Sequence, residues 1–208
     1  MKKLVALLMA GVMVFGFAAC GNKDNGDDVN NEQQNNEVKV DVADATELFN
    51  KVWTNYTETA GEDLQFFCMG GSMKEDGTFE DGKAGKFDHT KPEDTGMESQ
   101  LCISTDAIAM VDDAASLMHG MMVNNFTGAA YHVADKANTQ AVVDGIKDRT
   151  MNNQWMCGFP EKLIIVTVGD DYVISAFGNG MIIDAFKTSV TTVYGELASV
   201  VVEESLAE

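Results

Sequence analysis

Basic residues are scarce in this chain: 14 lysines and arginines stand against 33 acids, for a formal charge of −19 over 208 residues. So acidic a chain is a poor candidate for holding nucleic acid or an anionic lipid surface through bulk charge. The charge reads as solubility and repulsion from an anionic envelope rather than as cation binding. Histidines are few as well (His89, His119 and His132), and none lies in a recognisable Ser, Cys or metal context. HExxH, GxSxG and phosphate-loop patterns are absent, and Gly178-Asn179-Gly180 alone is too short to mean dinucleotide binding. No cysteine pair has CxxC spacing, which leaves a thioredoxin-like redox role without support. What the chain does have is apolar residues, 45% of the total, enough for a real core.

Its first residues carry the clearest signal. Lys2 and Lys3 form a positive start, Leu4 to Ala19 is an uncharged run of sixteen residues, and small residues lead into Cys20. As a helix the run would cover about 24 Å, short of the roughly 30 Å hydrocarbon core, and Gly11 and Gly16 weaken it further. A secretory signal is the better reading than a spanning helix. Phe17-Ala18-Ala19-Cys20 resembles the lipobox of bacterial lipoproteins, with Phe17 where the usual pattern has Leu. That resemblance implies that residues 1–19 are a lipoprotein signal peptide. It further implies that Cys20 takes a diacylglycerol thioether and an acyl chain such as palmitate, so that the mature protein is anchored in the bilayer through Cys20. One acyl chain binds only marginally and two or three hold stably. Loss of Lys2 and Lys3, with all 33 acids retained, takes the charge from −19 to −21.

Residues 20–40 are rich in Asn, Gln and Asp, with Val29 and Val38 almost the only apolar side chains. Such a stretch cannot bury enough surface to offset chain entropy and is expected to be a disordered acidic tether, reaching roughly 25 Å on average. Residues 41–208 are expected to be one α+β domain. The Asp44/Glu47 capping pattern and the spacing of Leu48, Phe49, Val52, Trp53 and Tyr56 predict a helix over 43–60, stopped by Gly61. A strand follows over 64–69. Residues 72–96 read as an exposed acidic hairpin or long loop, in which the spacing of a calcium loop is absent. Leu101-Cys102-Ile103 predicts a strand, and 107–122 has helix-compatible spacing through Ile108, Val111, Ala115, Met118 and Met122. Further on come a strand over 128–134, a helix over 135–152, and a hairpin of 163–168 with 172–177 about Gly169-Asp170-Asp171. A last amphipathic helix of five turns is predicted from residue 179 or 180 to Val201. These elements add up to a small, mainly antiparallel sheet of three or four strands with helices packed on one face.

Three local features invite chemistry. Met118-His119-Gly120-Met121-Met122 offers thioether and imidazole ligands of the kind copper takes, although methionine is also a flexible core filler. Cys157, in Trp155-Met156-Cys157-Gly158-Phe159-Pro160, could act as a thiol nucleophile with a distant histidine, though a buried structural cysteine beside a tryptophan is the commoner arrangement. Trp155 and Phe159 place bulky apolar groups on a loop between a helix and a strand, either as a ligand contact or as a cap on the core. With Cys20 lipidated, Cys68, Cys102 and Cys157 leave either one disulfide and a free thiol or no disulfide.

Ala129-Ala130-Tyr131-His132-Val133, Ile146-Lys147-Asp148-Arg149, Pro160-Glu161-Lys162-Leu163 and Val168-Gly169-Asp170-Asp171-Tyr172-Val173, in that order behind an anchored start, resemble a domain-of-unknown-function family of small lipoproteins of gut Clostridia-type bacteria. The resemblance covers residues 97–195. It implies a small exported α+β domain and brings no activity or binding residues. The expected function is therefore a membrane-anchored extracytoplasmic lipoprotein with a non-catalytic binding or accessory domain. Its partners would be the bilayer through acylated Cys20 and an unidentified ligand or envelope protein, with no nucleic acid and no cofactor. A Cys157-dependent enzyme, or a copper protein using Met118, His119, Met121 and Met122, is the alternative.

Overall fold

A computed structural model describes residues 39–90, 96–156 and 158–207. Helix α1 (Ala45–Thr59) forms where its stripe predicts: the Asp44 carboxylate accepts the Glu47 N–H at 2.7 Å, and the Glu47 carboxylate accepts the Ala43 N–H at 2.8 Å. Its apolar side is wholly buried against the sheet and against helix α5 (Gly180–Tyr194), which Asn179 caps through the Met181 N–H. Three polar handles tie this layer down: Tyr194 Oη donates to Leu48 O at 2.8 Å, Tyr56 Oη to Leu64 O at 2.7 Å, and Trp53 Nε1 to Gly82 O at 3.0 Å.

Among the described residues the sheet has eight strands, β1 (Cys68–Gly70), β2 (Glu80–Asp81), β3 (Gly85–Lys86), β4 (Val111–His119), β5 (Phe126–Val133), β6 (Lys162–Val168), β7 (Tyr172–Gly178) and β8 (Ala198–Ser205). Their order is β2-β1-β4-β5-β7-β6-β8, with β3 also on β4, and every pairing is antiparallel. The α+β class and the antiparallel sheet are as expected, and the sheet is larger than the three or four strands the pattern yielded. Its second face is also covered, by α4 (Thr139–Met151) and the short helices α2 (Met97–Gln100) and α3 (Thr105–Ile108). Alternation along β6 shows the division: Ile164, Val166 and Val168 meet α1 and α5, while Leu163 and Ile165 face α4. Strands buried on both faces read as continuous apolar runs rather than alternating ones.

That double burial accounts for one departure. Residues 107–122 are not a helix: most of them form β4, whose Ala114, Ala115, Ser116, Leu117 and Met118 are all buried. A strand covered on both sides has no two-residue period, so its apolar residues fall on helical spacing by chance. Leu101-Cys102-Ile103 is not a strand either; it links α2 to α3, with Cys102 at φ +52°. The last helix stops at Tyr194, ahead of Gly195 at φ +53°, and Val200, Val201 and Val202 enter β8 instead. β-Branched residues fit the pleat better than a helix surface. The 72–96 stretch carries β2 and β3 and buries Ala84 and Phe87; residues 91–95 lie outside the described part.

Cys68 and Cys102 are free and buried. Burial pushes the thiol of each up to about 11, Asp81 adding to the rise at Cys68 and Arg149 opposing it at Cys102. Both remain protonated at neutral pH, and the thiolate is the reactive form. Iodoacetamide at pH 8 should therefore leave both unlabelled in the folded protein and label both in urea, as read by peptide mass spectrometry. Native labelling at the unfolded rate would show that the core opens at these positions.

Candidate functional site

The two ends of the sheet differ in chemistry. At one end lie the start of β6, the end of β7, the β4–β5 turn and the start of α5. The turn is built on His119. Its Nδ1 accepts the N–H groups of Met121 and Met122, each at 3.1 Å, and its ring stacks on Phe66 at 4.9 Å and 6°. Burial pushes the imidazole pKa down, so the ring is neutral with its Nδ1 lone pair committed to the turn. Gly120 belongs there because a Cβ would sit 2.3 Å from the Phe67 ring. The thioethers are divided: Met118 is buried in β4, while Met121 (83% exposed) and Met122 stand in solvent. The four residues with copper-like chemistry are thus adjacent in sequence but point to different surroundings. Among the described residues no group of three or more His, Cys, Asp or Glu side chains is placed to hold a metal.

The α4–β6 connection runs beside this turn, where the Asn124 side-chain amide donates to Gly158 O at 3.0 Å. Trp155 packs its ring on Phe177 at 5.1 Å and 51°, so it does cap the second core. Phe159 does not, being 75% exposed. It forms a shared wall between two cavities. One, of about 420 Å³, is lined by residues 121–125, Gly158 and Phe159. The other, of about 870 Å³, lies between Met151, Asn153, Gln154, Trp155 and Phe159 on one side and residues 205–207 on the other. Two stretches picked out for unrelated chemistries therefore meet at Phe159. Met156 and Met181 are exposed as well. Of the exposed groups, Met121, Met122 and Phe159 line the smaller cavity and Met151 and Phe159 the larger, and flexible thioethers adapt to irregular apolar shapes. Cys20 and Cys157 lie outside the described residues.

The other end of the sheet is polar, and sequence reasoning missed it. A β-bulge between Val111 and Asp113 re-aims the start of β4. His132 lies between two carboxylates, with Nδ1 2.5 Å from Asp112 and Nε2 3.5 Å from Asp171. Asp113 accepts the Ala45 N–H at 2.8 Å and pairs with Lys86 at 3.3 Å. Lys39, Val42, Ala43, Asp44 and Tyr172 complete the lining of a cavity of about 410 Å³. Burial, and then the fields of Asp171, Asp113, Asp44 and Asp112, push the Tyr172 hydroxyl up to about 12. Both imidazole nitrogens face carboxylates, and the lining contains no serine, threonine or cysteine. The His132 group thereby ties together β4, β5 and the β6–β7 hairpin at the wall of this cavity.

Comparison with family models, with curated proteins and with solved structures finds no match for the chain.

Proposed function

We propose that this chain is a bacterial lipoprotein, exported by residues 1–19, acylated at Cys20 and held by the 20–40 tether, whose domain is a non-catalytic binding or accessory module outside the cytoplasm. The observation that carries the binding part is the exposed apolar cluster around Phe159, Met121 and Met122 with its two adjoining cavities.

Feeding cells an alkyne-tagged palmitate tests the anchor: the wild-type chain should carry the tag and sediment with membranes, and Cys20→Ser should lose both. Equal tagging of Cys20→Ser would overturn the anchor. Phe159→Ser, at an exposed position, should leave tagging and membrane association unchanged.

A further inference from the structure

The cavity of about 410 Å³ beside His132 holds polar groups that the fold does not use. Tyr172, the first residue of β7, is more than nine-tenths buried, with 7% of its surface exposed, and it lines this cavity. Its ring meets the His132 ring at 4.8 Å and 59°. No described residue is hydrogen-bonded to its hydroxyl, whereas Tyr194 and Tyr56, in the same layer, donate to Leu48 O and Leu64 O. A buried hydroxyl without a protein partner is uncommon, and it marks a position where something else supplies the bond. Asp113 Oδ1 is a second such group: the oxygen is buried and makes no hydrogen bond, with the Lys86 ammonium 3.3 Å away.

Charge decides what suits these groups. Burial and the fields of Asp171, Asp113, Asp44 and Asp112 keep the Tyr172 hydroxyl protonated at neutral pH. Fields that disfavour a phenolate favour a cation in the same place. An anion would look to the N-terminus of α1, but Asp113 already accepts the Ala45 N–H there and Asp44 the Glu47 N–H. A metal ion fits poorly too: calcium takes about six to eight oxygens, and among the described residues no group of three or more His, Cys, Asp or Glu side chains is placed to hold one. An ammonium group asks for less, since each of its three N–H donors needs one acceptor. Asp113 Oδ1, the Tyr172 oxygen and the Asp112 carboxylate, which is 53% exposed and tied to His132 through one oxygen, are acceptors with capacity left. Val42 and Ala43 in the same lining offer apolar surface to a short carbon chain, while Lys39 and Lys86 disfavour a second positive charge on the ligand.

We propose that the His132 cavity is a binding site for the primary ammonium group of a small monocationic or zwitterionic molecule, with Asp113 and Tyr172 as the acceptors that fix it. The site lies at the polar end of the sheet, apart from the apolar cluster about Phe159, and does not rest on the reading of that cluster.

Propylammonium chloride and β-alanine, titrated into the full chain carrying isotope-labelled tyrosine and followed by NMR, test it. The chain has four tyrosines, and Tyr172→Phe identifies the Tyr172 signal by its loss. That signal should move with both probes and stay in place with sodium chloride at equal ionic strength. Calorimetry should show binding about tenfold weaker in Tyr172→Phe and in Asp113→Asn, the loss expected for one hydrogen bond to a charged group. Both variants should fold: the Tyr172 hydroxyl holds no protein partner, so the melting temperature of Tyr172→Phe should match the wild type, and Asp113→Asn keeps an oxygen for the Ala45 N–H. Propyltrimethylammonium, which carries the charge without an N–H, should bind about tenfold more weakly than propylammonium. Tighter binding of β-alanine names a zwitterion as the ligand, its carboxylate taken by a lysine of the lining, and tighter binding of propylammonium names a plain amine. A Tyr172 signal that does not move, undiminished binding by Tyr172→Phe, or equal binding of the trimethylated cation would each overturn the ammonium site. Calcium that displaces propylammonium at equal concentration would overturn it in favour of a metal ion.

Discussion

Phe126→Ala is expected to lower the unfolding free energy by about 3–5 kcal/mol, the range for removing a fully buried aromatic ring. Phe126 is inaccessible to solvent at the start of β5, and its ring meets Phe186 at 5.2 Å and 70°, Phe66 at 5.4 Å and Trp53 at 5.9 Å. Those partners come from α5, from the segment ahead of β1 and from α1, so one ring joins three parts of the first layer. The site has little freedom to collapse around a cavity. Trp53 is fixed by its bond to Gly82 O and Phe66 by its stack on His119, and Gly128 is already a glycine because a Cβ would lie 2.8 Å from Phe49 and 3.0 Å from Phe126. Urea unfolding followed by tryptophan fluorescence should show a lower midpoint with an unchanged slope, the mark of lost stability rather than an altered denatured state. A loss below about 1.5 kcal/mol would mean that the aromatic layer repacks, and that Phe126 is not its hub.

The layer that Phe126 joins was legible in the sequence, because its signals are local. The stripe from Leu48 to Tyr56, the Asp44 cap, the Asn179 start and the Gly169-Asp170-Asp171 hairpin all depend on neighbours within a few residues. β4 was not legible. Its Ala114-Ala115-Ser116-Leu117 run is buried on both faces, and only the pairing with β5, β1 and β3 shows it to be a strand. β8 was hidden in the same way: Val200, Val201 and Val202 follow α5 at intervals a helix could use, and Gly195 alone marks the break. The candidate site was half visible. Trp155 and Phe159 stood out as bulky residues on a loop and Met121 and Met122 as an odd cluster, but their common wall depends on the approach of Asn124 to Gly158, a contact across 34 residues. The His132 clasp required the bulge at Val111, which no local pattern announces.

Gly178→Ala should be the most damaging small substitution in the described residues, because it strikes where the apolar end is pinned together. Gly178 has φ +156°, a backbone conformation L side chains rarely adopt, and an added Cβ would lie 2.2 Å from Asn125 O, 2.7 Å from Asn125 C and 2.9 Å from Phe126 Cα. All three are backbone atoms, so no rotamer change relieves the clash. Three segments meet there: the Glu161 N–H donates to Gly178 O at 2.8 Å, the Asn179 N–H donates to Asn125 O at 2.9 Å, and Phe126 pairs with Gly178 across β5 and β7. Overpacking costs ~1–3 kcal/mol and an unsuitable φ another ~1–3, which together predict a loss of about 4 kcal/mol. Gly77→Ala supplies the control, since Gly77 has φ +80° but nothing within 4 Å of an added Cβ, and it should lose only the conformational part, about 1 kcal/mol. Amide exchange locates the difference. In Gly178→Ala the Glu161 and Asn179 amides should lose protection ahead of the rest of the sheet, while in Gly77→Ala they should keep it. Equal losses in the two variants would show that the junction tolerates displacement of the 121–125 turn. The wall that Phe159 shares with Met121 and Met122 would then not be held by the contacts at Gly178.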